Sequence, residues 1–427
     1  MTVVVLYDDA LARTFEPFAS TRPISEMAAG IALIRERWKV VLQPDEGVQF
    51  AAGDRHADFD DGDGTRPATG VIPRGAIIVN ARCVPAVPAD VTKAAQRAAS
   101  CTMWQCGSRL AAVRLSAPVN AAALADGTLQ LDDLHAGTGA IGEVKGWWID
   151  EVWDFIRLLP EQLASDIAQV IEQPATRDAM PFYAPPGHAT ILGAHPVLVL
   201  GPTEREPHLP RTMIEPYVVF DATAGPIMIH SGSHIRAFSR ISGPCYIGRE
   251  VQVMGGDISG CSIGDVCKVR GELSHTIVLG HSNKGHEGFV GHSYLGRWVN
   301  LGASTVTSNL KNTYGTVSLW TPGGVRDSGL QFLGTMFGDH VKTGIGLRLS
   351  TGTVLGAGAN VYGEMPPKAV APFSWGARAP YSTYHADKFI ETAERMMARR
   401  HVQLSDRARR HLLSAHTARW TLERSER

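Results

Sequence analysis

The sequence predicts an α/β layered domain, followed by a triangular parallel β-coil that ends in helices, and three patterns carry that expectation. Isoleucine or valine recurs every six residues at Ile229, Ile235, Ile241, Ile247 and Val253. A helix repeats its buried face at about 3.6 residues and a strand at 2, so a period of six fits neither and marks a solenoid. With three hexads to a turn, one aliphatic side chain per hexad points into a triangular core. Aliphatic–glycine pairs then continue downstream at Ile247-Gly248, Ile263-Gly264, Leu279-Gly280, Leu295-Gly296, Leu301-Gly302 and Leu355-Gly356. Glycine there suits corners that need a positive φ. Before the hexads, strand-like and helix-like runs alternate, which implies an α/β layer fold.

Taken in order, Val3, Val4, Val5 and Leu6 are continuous, apolar and mostly β-branched, so residues 2–7 read as a buried strand. Pro23, then Met27, Ile31, Ile34 and Trp38, predict a helix from near Ile24. Residues 53–67 are polar and glycine-rich and read as a mobile loop. Ala76-Ile77-Ile78-Val79, closed by Asn80, reads as a second buried strand, and residues 161–173 read as a helix. Pro174, Pro181, Pro185 and Pro186 predict a stiff linker, and the hexad region runs over 188–372. Beyond Tyr381, Phe389, Ile390, Met396 and Met397 fall on one side of a helix, with Arg395, Arg399 and Arg400 elsewhere. Ser405 reads as the N-cap of a last helix carrying Leu412, Leu413, Trp420 and Leu422. Both helices are expected to close the open end of the coil. The expected domains are therefore 1–185, 186–376 and a helical tail over 377–427.

The 427 residues carry a formal net charge of −1, which argues against a general nucleic-acid partner and leaves anion binding to local clusters. The six cysteines include no Cys-x-x-Cys pair, so neither a zinc ribbon nor a disulfide framework is expected. The opening MTVVVLYDD lacks a basic segment and a long apolar run, and nowhere does an apolar stretch approach the roughly 18 residues of a membrane span. The expectation is a cytoplasmic protein with small-molecule partners and no membrane partner.

The hexad pattern breaks at 282–291 and again over 308–332, and segments ejected from a solenoid often carry function. There the chain reads Lys284-Gly285-His286-Glu287-Gly288-Phe289-Val290-Gly291, then Val299-Asn300-Leu301-Gly302-Ala303, then Ser308-Asn309-Leu310. This stretch resembles the acetyltransferase half of GlmU, the bacterial bifunctional enzyme that makes UDP-N-acetylglucosamine. It is more similar still to a GlmU-like group with NKGHxGFxG, SNLKNxY and a late FSWG, here 283–291, 308–314 and 373–376. The resemblance implies a left-handed parallel β-helix, a homotrimer with active sites between subunits, and acetyl-CoA as co-substrate. It makes His286 the general base, and an imidazole with an ordinary pKa near 6.5 suits removal of a proton from an amine at neutral pH. It makes Asn300 and Asn309 holders of sugar and acyl donor, with Lys284, Lys311, Arg236 and Arg240 as candidates for phosphate groups. Two departures stand out: Phe289 replaces the family tyrosine, and the upstream phosphate-binding lysine is missing, its nearest counterpart being His275. A rival resemblance, of Leu279-Gly280-His281-x4-His286 to γ-class carbonic anhydrases, implies a zinc site. Its third ligand falls where Cys245 and Tyr246 stand.

Sugar nucleotidyltransferases open with a strand and a G-x-G-T-R loop whose backbone N–H groups cradle a triphosphate. The corresponding Tyr7-Asp8-Asp9-Ala10-Leu11-Ala12-Arg13 has no glycine. Phe18, Thr21, Arg22, Pro23 and Glu26, and later Val79-Asn80-Ala81-Arg82, resemble elements of the GlmU-like group. The resemblance implies a nucleotidyltransferase-like α/β domain, with Arg13, Arg22 and Asn80 as nucleotide-binding residues. Arg22 and Glu26, four apart, are alternatively an ion pair on a helix surface. Asp8 and Asp9 would repel a triphosphate unless they hold Mg2+. The implied reactions are acetyl transfer to an amino-sugar phosphate and nucleotidyl transfer from an NTP to a sugar 1-phosphate. A trimeric scaffold without activity is the alternative from another class.

Overall fold

A computed structural model of the chain describes residues 2–62, 65–134, 139–173, 182–183, 186–202 and 207–422. They form two compact units, Met1–Asp154 with Leu404–Ala418, and Phe155–Gln403 with Arg419–Arg427. The first unit thus closes earlier than residue 185. The reason is packing: the helix Leu159–Glu172 buries Leu159, Leu163 and Ile167 and contacts the coil strand Cys245–Ile247. Of the expected linker, Pro174, Pro181 and Pro185 lie outside the described residues.

The first unit is built on a seven-stranded sheet. Its strands are β1 (Val4–Tyr7), β2 (Val48–Ala51), β3 (Arg66–Pro67), β4 (Ile77–Asn80), β5 (Met103–Cys106), β6 (Arg109–Arg114) and β7 (Ile141–Glu143), in the order β7-β5-β6-β4-β1-β2-β3. β1 is central, buried on both faces and parallel to both β2 and β4, which explains its unbroken apolar run. Helices α1 (Ile34–Leu42) and α2 (Val91–Ser100) pack on one another. The helix expected from Ile24 begins ten residues later. Ile24–Glu26 makes a single 3-10 turn, and Ala28–Ala29 then pairs with Ala32–Leu33 as a hairpin turning through Gly30 at φ 60°. A left-handed glycine inside the apolar period stops a helix from forming across it.

The described part of 53–67 is pinned rather than mobile. Phe59 is buried with Phe50 and Ala52, its ring edge-on to Phe50 at 5.7 Å. Asp58 pairs with Arg410 at 2.8 Å, and Ser405 Oγ donates to Asp60 at 2.7 Å. The last helix, residues Asp406–Thr417, is capped by Ser405 as expected, but it packs on this segment instead of closing the coil. Leu413 is exposed, and Trp420 lies past the helix end and stacks on Trp320 at 4.2 Å.

The second unit is a coil with three sheets of ten, six and ten strands, parallel throughout except at the terminal pairs of the two ten-stranded sheets. On the first face Ile229, Ile247, Ile263, Val278, Leu295, Phe337, Leu355 and Val370 stack in register as one buried column. Ile241, Ile258, Leu273 and Val290 do the same on the second face, and Ile235, Val253 and Val269 on the third. Successive hexad hits therefore occupy successive faces. The segment 282–291 does not leave the coil: Asn283–Lys284 and Phe289–Gly291 both stay in the ladder. The 308–332 segment does depart, closing through a Leu310–Phe332 bridge and carrying the hairpin Ser318–Thr321/Gly324–Asp327.

Gly280 has the expected positive φ, 149°, but the other glycines after the aliphatics have a different cause. Gly248, Gly264, Gly296, Gly302 and Gly356 are not in the left-handed region, which is taken instead by residues such as Glu250, Val266, Trp298 and Ser304. What excludes a side chain is the next turn of the coil: a Cβ on Gly264 would lie 2.3 Å from the Leu279 carbonyl oxygen, and one on Gly356 2.4 Å from the Pro372 nitrogen. Gly264→Ala is accordingly expected to destabilise by about 1–3 kcal/mol, as overpacking does. Chemical denaturation of the second unit would read this, and an unchanged midpoint would show that the turns can move apart.

Candidate functional site

Side chains pointing out of the third face form a row one strand apart: Lys268, Asn283, Asn300 and Lys342. Above part of this row lies the helix Ala386–Ala398, anchored by Phe389 edge-on to Phe373 at 4.9 Å and to Tyr384 at 5.8 Å. Its apolar stripe is Phe389, Ile390, Ala393 and Met397, whereas Met396 turns with Arg395, Arg399 and Arg400 into a cavity of about 520 Å³. The outward row lines the same cavity, together with His281 and His286. None of the described lining residues is acidic. Burial first, then Arg400, Arg399 and Arg236, disfavour the charged form of Lys268. Burial brings Lys342 down to about 8. Arg395 is paired with Glu391 at 3.3 Å, and the remaining cations, gathered among lining residues that include no carboxylate, make a site for an anionic ligand.

His286 sits in the corner between the third-face strand Asn283–Lys284 and the second-face strand Phe289–Gly291, and its side chain is exposed. Its backbone is held by Lys284. That lysine takes the inward place next to Val269, where other turns carry aliphatics. Its Nζ donates to the carbonyls of Arg270, at 2.6 Å, and of His286. Burial lowers it to about 8. Lys284 therefore braces the corner and is not presented to a phosphate. Asn300 accepts from Asn283 Nδ2 at 2.8 Å, leaving an amide acceptor on Asn283 and an amide donor on Asn300 beside the cavity. Asn309 lies at another corner, its Nδ2 against His292 Nδ1 at 2.9 Å, and Lys311 follows it on the excursion. Arg240 is paired with Asp221, whereas Arg236 is exposed and acts on Lys268. Of the predicted coil residues, the fold thus brings His286 and Asn300 to one cavity, with Arg236 acting on its Lys268.

Sequence reasoning missed Lys268, Lys342, Asn283 and the three arginines. The signal was present: each coil residue immediately precedes an inward one, as in Lys268-Val269 and Lys342-Thr343, and Arg395 and Arg399 are one helical turn apart. For the zinc alternative, Cys245 is shut in the coil core with its thiol pushed up to about 12 by burial, and His281 Nδ1 faces Arg297 at 3.2 Å. Among the described residues no three His, Cys, Asp or Glu side chains gather to hold a metal ion.

In the first unit, the carboxyl ends of β1 and β4 bring together Asp8, Asp9, Asn80 and Arg82, at the sheet edge where α/β folds bind ligands. Burial tends to raise Asp9, but Arg82 on both its oxygens (2.8–3.0 Å), with Ala12 N and Asn80 Nδ2, keeps it ionised at lower pH than usual. Arg82 also pairs with Asp150, which Arg109 contacts at 2.9 Å. Arg13 is spent on backbone: it donates to the carbonyls of Asp8, Leu124 and Ala125. Arg22 is buried, bonding Asp61 at 3.1 Å and the Glu26 carbonyl, while the Glu26 side chain pairs with Arg35. Arg22 and Glu26 are both buried and lie outside any α-helix, so they are not a pair on a helix surface. Of the two carboxylates expected to hold Mg2+, Asp9 is already neutralised by Arg82, while the second oxygen of Asp8 is buried without a hydrogen-bond partner and is the acceptor a cation would use.

Residues 4–174 match the family described as sugar nucleotidyl transferase. The chain is also similar to the bifunctional sugar-1-phosphate nucleotidylyltransferase/acetyltransferase of Sulfurisphaera tokodaii, 33% identical over 91 residues, which are 21% of this chain and 23% of that protein. It is similar to the bifunctional protein GlmU of a Jannaschia species, 36% identical over 101 residues, 23% of this chain and 21% of that protein. The chain thus spans less than a quarter of the length of the curated relatives it matches.

Burial, opposed by a hydrogen bond from Ile24 N, raises Asp8 to about 7. A raised carboxyl ionises first in the unfolded chain, so its contribution to stability is complete below about pH 4 and is lost as pH climbs to about 7. Asp8→Asn should remove that loss, which is at most about 4 kcal/mol. Thermal melts at pH 5 and pH 8 would then differ less than in the wild type; an unchanged difference would mean that Asp8 stays ionised.

Proposed function

We propose that the chain is a GlmU-like sugar nucleotidyltransferase/acetyltransferase whose coil transfers an acetyl group from acetyl-CoA to an amino-sugar phosphate. The observation that carries this reading is an exposed imidazole, His286, on the wall of a cavity whose fixed charges are all cationic. Phosphate groups on both substrates match Lys268, Lys342, Arg395, Arg399 and Arg400, and the free amide groups of Asn283 and Asn300 match sugar hydroxyls. His286 takes the proton of the acceptor amine; the nitrogen attacks the thioester carbonyl, the C–S bond breaks, and the thiol leaves with a proton. Lys284 contributes indirectly, by holding the His286 carbonyl.

His286 and Asn309 occupy different corners of one coil, which supports a homotrimer in which the 308–332 segment of a neighbour completes each site. A second reading, nucleotidyl transfer from an NTP to a sugar 1-phosphate in the first unit, is supported by the family match over residues 4–174. Asn80, Arg82 and Asp9 are its candidate residues, and Arg13 and Arg22 are not.

His286→Ala is expected to lower acetyl transfer by about 10²–10⁴-fold in a folded protein, measured as thiol release over a panel of amino-sugar phosphates. Unchanged turnover would remove His286 as the base. Arg399→Ala should raise KM more than it lowers kcat, since it holds phosphate in ground and transition state alike. Mixing His286→Ala with Asn309→Ala subunits before reassembly should restore part of the activity if sites are shared, and no restoration would place each site within one chain.

A further inference from the structure

One imidazole outside the proposed chemistry touches a residue inside it. Where the coil passes from its second to its first face, His275 and His292 stand on successive turns, both left-handed at φ 46° and 47°. Their rings stack at 4.7 Å with 9° between the planes. The 308–332 excursion leaves and rejoins the coil beside the second ring. Phe332 stacks on His292 at 5.2 Å, and Asn309 Nδ2 donates to His292 Nδ1 at 2.9 Å. The backbone closes the arrangement: Gly334 N donates to the His292 carbonyl at 2.8 Å, and Leu333 N to that of Asn309 at 2.9 Å. Gly291 lets the amide approach, since a Cβ there would lie 2.7 Å from Asn309 Nδ2.

The contact has a direction. An amide nitrogen can only donate, so Nδ1 must accept, and the His292 ring is the neutral form protonated on Nε2. Burial, then His275, brings His292 down to about 4, which keeps it an acceptor at neutral pH. Turning the Asn309 amide over would set its carbonyl oxygen against the lone pair of Nδ1. His292 thus decides which end of the amide is free, and Oδ1 is left without a hydrogen bond among the described residues. We propose that His292 is a positioning residue for acetyl transfer, locking the Asn309 amide so that its carbonyl oxygen accepts from an N–H or O–H of the substrate in a neighbouring subunit's cavity. This role rests on the acetyl-transfer reading, in which Asn309 holds substrate. The stack supplies the rigidity: a ring held between two others keeps one rotamer, and the amide bonded to it keeps one place.

Acetyl transfer by the full-length chain, read as thiol release over the same panel of amino-sugar phosphates, would be compared for His292→Phe, His292→Asn, Asn309→Ala and the double variant His292→Phe/Asn309→Ala. Phenylalanine keeps a ring in the stack but offers no acceptor, and Phe238 and Phe373 already take left-handed places in this chain at φ 63° and 56°. Asparagine puts an acceptor near the place of Nδ1 and tolerates a positive φ. The expected result is a fall of about tenfold for His292→Phe, activity within about threefold of wild type for His292→Asn, and a double variant no slower than Asn309→Ala alone. Wild-type turnover in His292→Phe beside an impaired Asn309→Ala would overturn the proposal. So would a double variant whose loss is the product of the two single losses, the mark of a purely structural effect. Full activity in Asn309→Ala would remove Asn309 and His292 from the site but leave acetyl transfer standing, whereas an inactive wild type would overturn both. Should His292→Phe not fold, His292→Gly takes its place, since Gly260 holds the same corner two turns earlier at φ 62°.

Discussion

Strands on successive turns of a parallel coil sit about 4.8 Å apart, and the second unit is organised around keeping that spacing. Aliphatic side chains stack in columns because each inward position faces its counterpart one turn away, as Ile247 faces Ile263 and Val278 follows. The glycines beside them leave room for the backbone of the next turn. The same spacing builds the cavity. Lys268, Asn283, Asn300 and Lys342 are scattered in sequence but become neighbours because the ladder brings one residue from each turn to the same place.

The handling of buried cations explains which predicted ligands are available. Desolvating a guanidinium or ammonium is costly unless acceptors replace water. Backbone carbonyls do so for Arg13, Arg37 and Lys284, which are thereby absorbed into the fold. Lys342 is the contrast: its Nζ has one carbonyl, that of His340 at 3.2 Å, and it faces the cavity. A basic residue next to a family motif is therefore as apt to brace the motif as to bind the ligand, and Lys284 beside His286 does the former.

The helix Ala386–Ala398 unites the two themes. Its apolar stripe covers the last turns of the coil at Phe373, as a capping helix should, while its arginine edge turns back along the third face. A stripe of Phe389, Ile390 and Met397 with arginines off to one side was legible as an amphipathic helix. That the arginine edge lines the same cavity as Lys268 and Lys342 was not legible, since nothing local says which surface lies opposite.

By itself, the sequence determined the elements whose information is local and periodic. The hexads specified a three-faced coil, the unbroken run at Val3–Leu6 a buried strand, Ser405 a cap, and 308–332 an excursion. Tertiary structure decided what depends on surroundings. Gly30 split the helix expected at Ile24, Phe59 pinned a loop whose composition reads as mobile, and inter-turn packing, not backbone conformation, selected the corner glycines other than Gly280. Likewise, motif spacing located His286, but only the ladder and the helix above it supplied the cations around it. Side-chain period is written in consecutive residues, whereas the partner of a charge is set by which distant segment the fold brings within a few ångströms.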